Sequence, residues 1–152
     1  MYNESEVKEA SLVYFNGDEL ATNVFMTKYC LRDNKGNFME KTPDDMHRRI
    51  ASEMARIEKK FIGPSLTEEE VFEYLENFKY IVPQGSPMMG IGNDYVNVSL
   101  SNCVVVDNPT DCISSIMDAG KDLANLFKRR CGAGIDISDL RPAGAPVNNS
   151  AR

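Results

Sequence analysis

The sequence predicts an α/β fold in two parts: a helical domain over residues 1–80, then the opening strand–helix–strand elements of a parallel sheet over residues 81–152. Three observations carry that prediction. Apolar residues recur at helical steps of three and four before Tyr80, and the run IVPQGSPMMGIGND then breaks regular structure. Beyond it, the unalternating run Val104-Val105-Val106 reads as a strand buried on both faces, followed by a long amphipathic stretch.

Taken in order, Asp18 caps a helix bearing Leu20, Val24 and Leu31, which the turn-forming residues 32–37 stop. Thr42-Pro43 starts the clearest helix, because proline fits the first helical position; Met46, Ile50, Met54, Ile57 and Phe61 mark its apolar stripe. Gly63-Pro64 ends it. Thr67 and Glu70 form a capping box for a third helix with Val71, Leu75 and Phe78. Residues 99–106 form the first strand, closed by Asn108-Pro109, and a helix over about 110–130 carries Ile113, Ile116, Leu123 and Phe127. Lys128-Arg129-Arg130 complements the negative end of that helix, Gly132 and Gly134 supply its exit turn, and residues 134–138 make a second strand.

Composition narrows the function. At 152 residues and 42% apolar content the chain can bury one sizeable core. A net charge of -6 with mixed acids and bases argues against direct nucleic-acid binding, which needs clustered Lys and Arg. The four cysteines are widely spaced and His47 is the sole histidine, so no zinc site is expected. The start MYNESEVKEA lacks the layout of a signal peptide, and no apolar run approaches the ~20 residues that span a bilayer; a soluble, cytoplasmic protein is expected.

Cys103 is the first chemical candidate. A free cysteine on a strand is most often a small hydrophobe, but Asn102 beside it, the glycine-rich loop upstream and Gly132-Ala133-Gly134 on the adjacent strand give this one a polar setting. Ligands of parallel sheets bind beyond the carboxyl ends of the strands, where Asp111 stands at the first turn of the next helix. There Asp111 serves either as a cap or as an acceptor for sugar hydroxyls. The CGAG and QGSPMMGIG stretches can present backbone N–H groups to phosphate, although a glycine pair is more often a helix stop. His47 reads as a surface or boundary residue, and Cys30 and Cys112 receive no role.

In sequence order, PQGSPMMG, SLSNCVVVD, the Asp-Cys-Ile start of a helix and KRRCGAGIDISDLRPAGAPVNNSAR resemble the N-terminal part of the large, catalytic subunit of ribonucleotide reductases. The resemblance spans nearly the whole chain. It implies a helical domain followed by the first elements of a ten-stranded α/β barrel, and conversion of ribonucleotides to deoxyribonucleotides by thiyl-radical chemistry. Cys103 in LSNC matches one of two cysteines oxidised to a disulfide as the ribose 2'-hydroxyl is lost. Ser86, Asn102 and the turn at Cys131-Gly132 match positions that hold the substrate and its phosphates, and Asp111 matches the residue that contacts the sugar of a deoxynucleotide triphosphate effector. The helix that Asp111 opens corresponds to one at the family's dimer interface.

Three departures are visible: Cys131 where relatives carry glycine or alanine, Cys112 where they carry serine, and one residue more than some relatives between Cys103 and Asp111. The radical-forming cysteine, the Asn-x-Cys-x-Glu motif and the second redox cysteine belong beyond residue 152, so the chain alone is expected to be inactive and to need the C-terminal remainder of the subunit. No ATP cone is expected before residue 18, which together with LSNC points to the adenosylcobalamin-dependent class, with the cofactor bound mainly outside this chain. A ribonucleotide substrate, a homodimer and a thioredoxin-like reductant are the other expected partners. The same residues also fit a noncatalytic nucleotide-binding module for regulation or assembly, which downstream sequence lacking Asn-x-Cys-x-Glu would favour.

Overall fold

The structure, a computed structural model, describes residues 1–147. The chain divides into two compact units, one over Met1–Leu100 and a second beginning at Ser101. The sequence reading draws its boundary near residue 80. The difference comes from residues 81–100, which pack within the first unit: a Cβ placed on Gly90 would stand 2.7 Å from Val98 and 2.8 Å from Leu100 side-chain atoms.

The first unit is helical. Helix α1 (Glu4–Tyr14), which the sequence reading does not assign, opens on reciprocal bonds of 2.9 Å between Asn3 and Glu6: each side chain accepts from the other's amide. Asp18 caps α2 (Glu19–Val24) as expected, accepting from the Ala21 amide at 2.9 Å. The helix then widens into a π turn over Phe25–Tyr29, closed by Cys30 N–H to the Phe25 carbonyl at 2.9 Å. Thr22, Phe25 and Met26 lie inward at α-helical steps and the wider turn brings Cys30 to the same side, whereas Leu20, expected inside, lies off that stripe and is 73% exposed. Residues 31–39 double back, with Met39 N–H bonded to the Leu31 carbonyl at 2.9 Å, and Tyr2 bridges to Phe38 on the other side.

Helix α3 (Pro43–Glu58) begins at Thr42 with proline at its start, and Asp45 accepts from the amides of Lys41 and Thr42 at 2.7 and 3.1 Å. Helix α4 (Glu68–Leu75) has the expected capping box: Thr67 Oγ1 accepts from Glu70 N–H at 3.2 Å and the Glu70 carboxylate from Thr67 N–H at 2.8 Å. The core gathers Val7, Phe25, Met26, Phe38, Met46, Ile50, Val71, Phe72 and Leu75. Along α3 the buried positions are Pro43, Met46, His47, Ile50, Ala51 and Ala55, whereas Met54, Ile57 and Phe61 of the predicted stripe are exposed. Alanine at 51 and 55 lets α4 approach closely, so the inner face runs through Met46, His47, Ile50, Ala51 and Ala55 and leaves Met54 and Ile57 outside it.

His47, expected at the surface or its boundary, is fully buried, with its ring edge-on to Phe78 at a centroid distance of 4.6 Å. Neither ring nitrogen has a well-formed hydrogen bond among the described residues. Asp44 Oδ1 lies 3.5 Å from Nδ1 and acts as a nearby negative charge. After α4 a 3₁₀ turn over Glu76–Phe78 leads to α5 (Gly85–Gly90), a short helix inside the run expected to be a loop.

The second unit holds β1 (Cys103–Val105), α6 (Ile113–Lys128) and β2 (Gly132–Gly134), the parallel strand–helix–strand unit that the sequence predicts. The strands pair Cys103 with Gly132, Val104 with Ala133 and Val105 with Gly134. Both are shorter than expected, and the second starts at Gly132 rather than at residue 134. Those glycines belong to the strand; the exit turn is made by Arg130 in the left-handed region (φ 60°), with Cys131 N–H reaching back to the Leu126 carbonyl at 3.1 Å and Arg130 N–H to the Phe127 carbonyl at 3.0 Å. The expected burial on both faces of β1 is not met within this unit: Val104 and Val106 are half-buried, whereas Cys103 and Val105 are exposed. On α6, Leu123 and Leu126 are partly covered while Ile113, Met117 and Phe127 are exposed. Among the described residues no helix is long and apolar enough to cross a membrane.

Burial holds the His47 imidazole below its ordinary pKa, against the opposing pull of Asp44. The unfolded chain therefore binds this proton first, and stability falls as pH drops below about 6.5, the ordinary histidine value. Urea denaturation across pH 5–8 should show a smaller acid loss in His47→Leu than in the native chain, by at most roughly 1.4 kcal/mol per pH unit. Parallel pH profiles for the two proteins would contradict the assignment.

Candidate active site

Parallel pairing fixes where the Cys103 thiol lies. Side chains alternate along a strand, so the face of β1 that carries Val104 and Val106 is the covered one, and Cys103 and Val105 share the open one. Gly132 N–H donates to the Asn102 carbonyl at 2.7 Å and so locks the start of β2 against the residue preceding the thiol. A Cβ on residue 132 would stand 3.0 Å from Cys103 Sγ and 3.3 Å from the Asn102 oxygen. Glycine is needed there because the sulfur occupies the space that a side chain would take.

The other expected site residues fall into separate settings. Asn102 is half-buried beside Cys103. Cys131 is 2% exposed; its amide completes the helix end and its thiol lies 3.3 Å from the Gly132 carbonyl. Its sulfur is thus enclosed, unlike that of Cys103. Ser86 sits in the first turn of α5, half-buried, in the first unit. The structure therefore brings Asn102, Cys103, Cys131 and Gly132 to one strand pair, with Asp111 in the same unit at the mouth of α6.

Asp111, expected in the first helical turn, lies two residues ahead of it, because Cys112 takes the N-cap position. Its carboxylate accepts from Arg141 Nε at 2.7 Å, and Arg141 also donates to the Pro146 carbonyl at 3.1 Å. Nothing in the local sequence pattern ties Arg141 to a residue thirty positions earlier. Close by in sequence, Asn108 Nδ2 reaches Asp136 at 3.4 Å, so the segments leaving the two strands are tied together beyond their carboxyl ends. Hydrogen bonds from the Ser138 hydroxyl and amide hold Asp136 below the usual carboxylate range. The exposed thiol of Cys112 is lowered from its ordinary value, first by the Ser115 amide and then by the Thr110 hydroxyl. In contrast, burial pushes the Cys30 thiol up to about 12. Among the described residues there is no group of three His, Cys, Asp or Glu placed to hold a metal ion. The closing NNSAR of the last sequence motif lies outside the described residues.

The described residues thus form a helical unit followed by a parallel strand–helix–strand unit with a solvent-facing thiol on its first strand, an α/β class of protein. Residues 15–94 match the family model described as ribonucleotide reductase, all-alpha domain, and residues 101–152 match that of the ribonucleotide reductase barrel domain. The chain belongs to the ribonucleotide reductase family, carrying the all-alpha domain and the start of the barrel domain of the catalytic large subunit. No curated protein matches it.

Replacing Gly132 with alanine forces the added carbon against the sulfur and the Asn102 carbonyl. The full chain should lose about 1–3 kcal/mol in urea denaturation, the usual cost of overpacking, and Cys103 should react with a thiol reagent at a changed rate. Unchanged stability together with unchanged labelling would contradict the close approach.

Proposed function

We propose that this chain supplies the first redox cysteine and part of the nucleotide pocket for ribonucleotide reduction. The carrying observation is the open-face position of the Cys103 thiol on the first strand of a barrel-domain match. In the reaction, the ribose C2'–OH bond breaks and its oxygen leaves as water. Two thiols, Cys103 and a partner cysteine from the rest of the subunit, supply the two electrons and become a disulfide. A thioredoxin-like dithiol then reduces that disulfide for the next turnover. Exclusion of water protects the radical intermediate, which is why the reducing sulfur lies on a strand that more protein will cover rather than on a mobile loop.

Ser86, Asn102 and the turn at Cys131-Gly132 bind the substrate and its phosphates in this scheme. For residue 131 the enclosed thiol leaves the contact to the backbone. Asp111 accepts hydrogen bonds from the sugar of a deoxynucleotide triphosphate effector, and Arg141 holds the carboxylate in place to do so. The exposed apolar residues of α6, Ile113, Met117 and Phe127, provide surface for the homodimer contact that would link effector to substrate choice. The barrel-domain match favours this scheme over a noncatalytic nucleotide-binding module. For adenosylcobalamin the described residues offer no exposed imidazole, because His47 is fully buried in the helical unit.

The test combines the chain with the remainder of the catalytic subunit, its radical generator and a dithiol reductant. Deoxyribonucleotide should accumulate over many turnovers, and Cys103→Ser should reduce that to background. Equal turnover by the serine variant would remove Cys103 from the chemistry. With Asp111→Asn, effector affinity should weaken about 30-fold, the ~2 kcal/mol attached to a hydrogen bond with a charged acceptor. Unaltered effector binding would remove Asp111 from that site.

A further inference from the structure

Glu40 and Arg49 form an ion pair that the sequence pattern does not reveal and the chemistry above does not use. Arg49 Nε donates to Glu40 Oε1 at 2.7 Å, with the two side chains 10% and 4% exposed. Glu40 Oε2 accepts from the Leu31 amide at 2.7 Å, which fastens the carboxylate to the doubled-back segment 31–39. The rest of the guanidinium points the other way. Nη2 donates to the Met88 carbonyl at 2.8 Å and Nη1 to the Ile91 carbonyl. These two oxygens belong to the last turn and C-cap of α5, the short helix whose first turn carries Ser86.

Contacts at both ends of α5 reinforce the clamp. A Cβ on Gly85 would stand 3.2 Å from the Tyr29 ring, so glycine lets the start of the helix lie against that ring. Gly92 has φ +69°, and a Cβ there would stand 2.9 Å from Arg49 Cγ and 3.2 Å from the Arg49 carbonyl. Chain direction after α5 is therefore shaped around the same arginine. A helix of six residues has little stability of its own. What fixes this one is a planar fork aimed at two main-chain oxygens, and a lysine cannot reproduce that geometry with a single ammonium group.

We propose that Arg49, held by Glu40, is a positioning residue for substrate binding: it sets the placement of the segment 85–91 that presents Ser86 to the ribonucleotide. The inference rests on Ser86 being a substrate contact, and its test separates the two claims. KM and kcat for the ribonucleotide are measured in the reductase assembled from this chain and the rest of the subunit, for Arg49→Lys, Ser86→Ala and the double variant. Each single variant should raise KM on the order of 10-fold with kcat largely kept, since binding rather than the reducing step is disturbed. The double variant should be little worse than either single one, because both changes remove the same contact.

Glu40→Gln, which keeps the shape of the carboxylate and the bond from Leu31, should raise KM in the same direction and covers the case in which Arg49→Lys does not fold. A raised KM in Ser86→Ala with an unchanged KM in both Arg49→Lys and Glu40→Gln overturns the positioning role and leaves Ser86 standing. So do multiplied effects in the double variant, which mean independent sites. No change in Ser86→Ala overturns the substrate contact and the positioning role with it.

Discussion

The second unit depends on the close approach of Cys103 and Gly132. Two short parallel strands have few bonds to hold their register, and a slip by one residue would turn every side chain to the opposite face. Here the Gly132 amide bond to the Asn102 carbonyl and the missing side chain at 132 choose one register. The reverse turn at Arg130 and the bond from Cys131 to Leu126 deliver the chain to that point from the end of α6. The thiol consequently sits on the open face, while its neighbour in the turn, Cys131, is enclosed. Two cysteines close in the fold thus have different exposure for a reason of backbone geometry, and only Cys103 of the two is open to solvent.

The helical unit solves a different problem. Its core includes polar groups that are satisfied one by one: Ser11 Oγ donates to the Lys41 carbonyl at 3.1 Å, Thr22 Oγ1 to the Asp18 carbonyl at 2.8 Å, and Glu40 takes both Leu31 N–H and Arg49. A buried ion pair is a weak source of net stability, because desolvation offsets much of the attraction. Its value lies in direction. Arg49 can satisfy its donors only by meeting Glu40 on one side and the carbonyls of Met88 and Ile91 on the other, so three segments far apart in sequence acquire one arrangement.

Local chemistry made much of this legible. Asp18, Thr42-Pro43 and the Thr67–Glu70 pair start helices where the sequence places them, because caps and first-turn prolines act within four residues. The strand–helix–strand order and the thiol on the first strand were equally readable. What escaped depended on distance or on a break in period. The inward stripe of α2 runs through Thr22, Phe25 and Met26, with a threonine where an apolar residue would announce it, and Leu20 lies off that stripe; the π turn then brings Cys30 onto it with no residue type to mark the change. His47 is flanked by charged residues and looks solvated, yet its spacing from Ala51 and Ala55 puts it on the inner face of α3. The short helix holding Ser86 is concealed by glycine and proline, and the Arg49 clamp that stabilises it spans about forty residues. Partner residues such as Arg141 for Asp111 are set by tertiary structure alone.

The central claim is that the sulfur of Cys103 faces the ribonucleotide in the assembled reductase. Its most direct test is the rate at which a thiol-alkylating reagent labels each cysteine in that assembly, read by peptide mass spectrometry with and without ribonucleotide. The account predicts that substrate slows labelling of Cys103 and leaves the exposed Cys112 unchanged. Equal labelling of Cys103 at saturating ribonucleotide would contradict it.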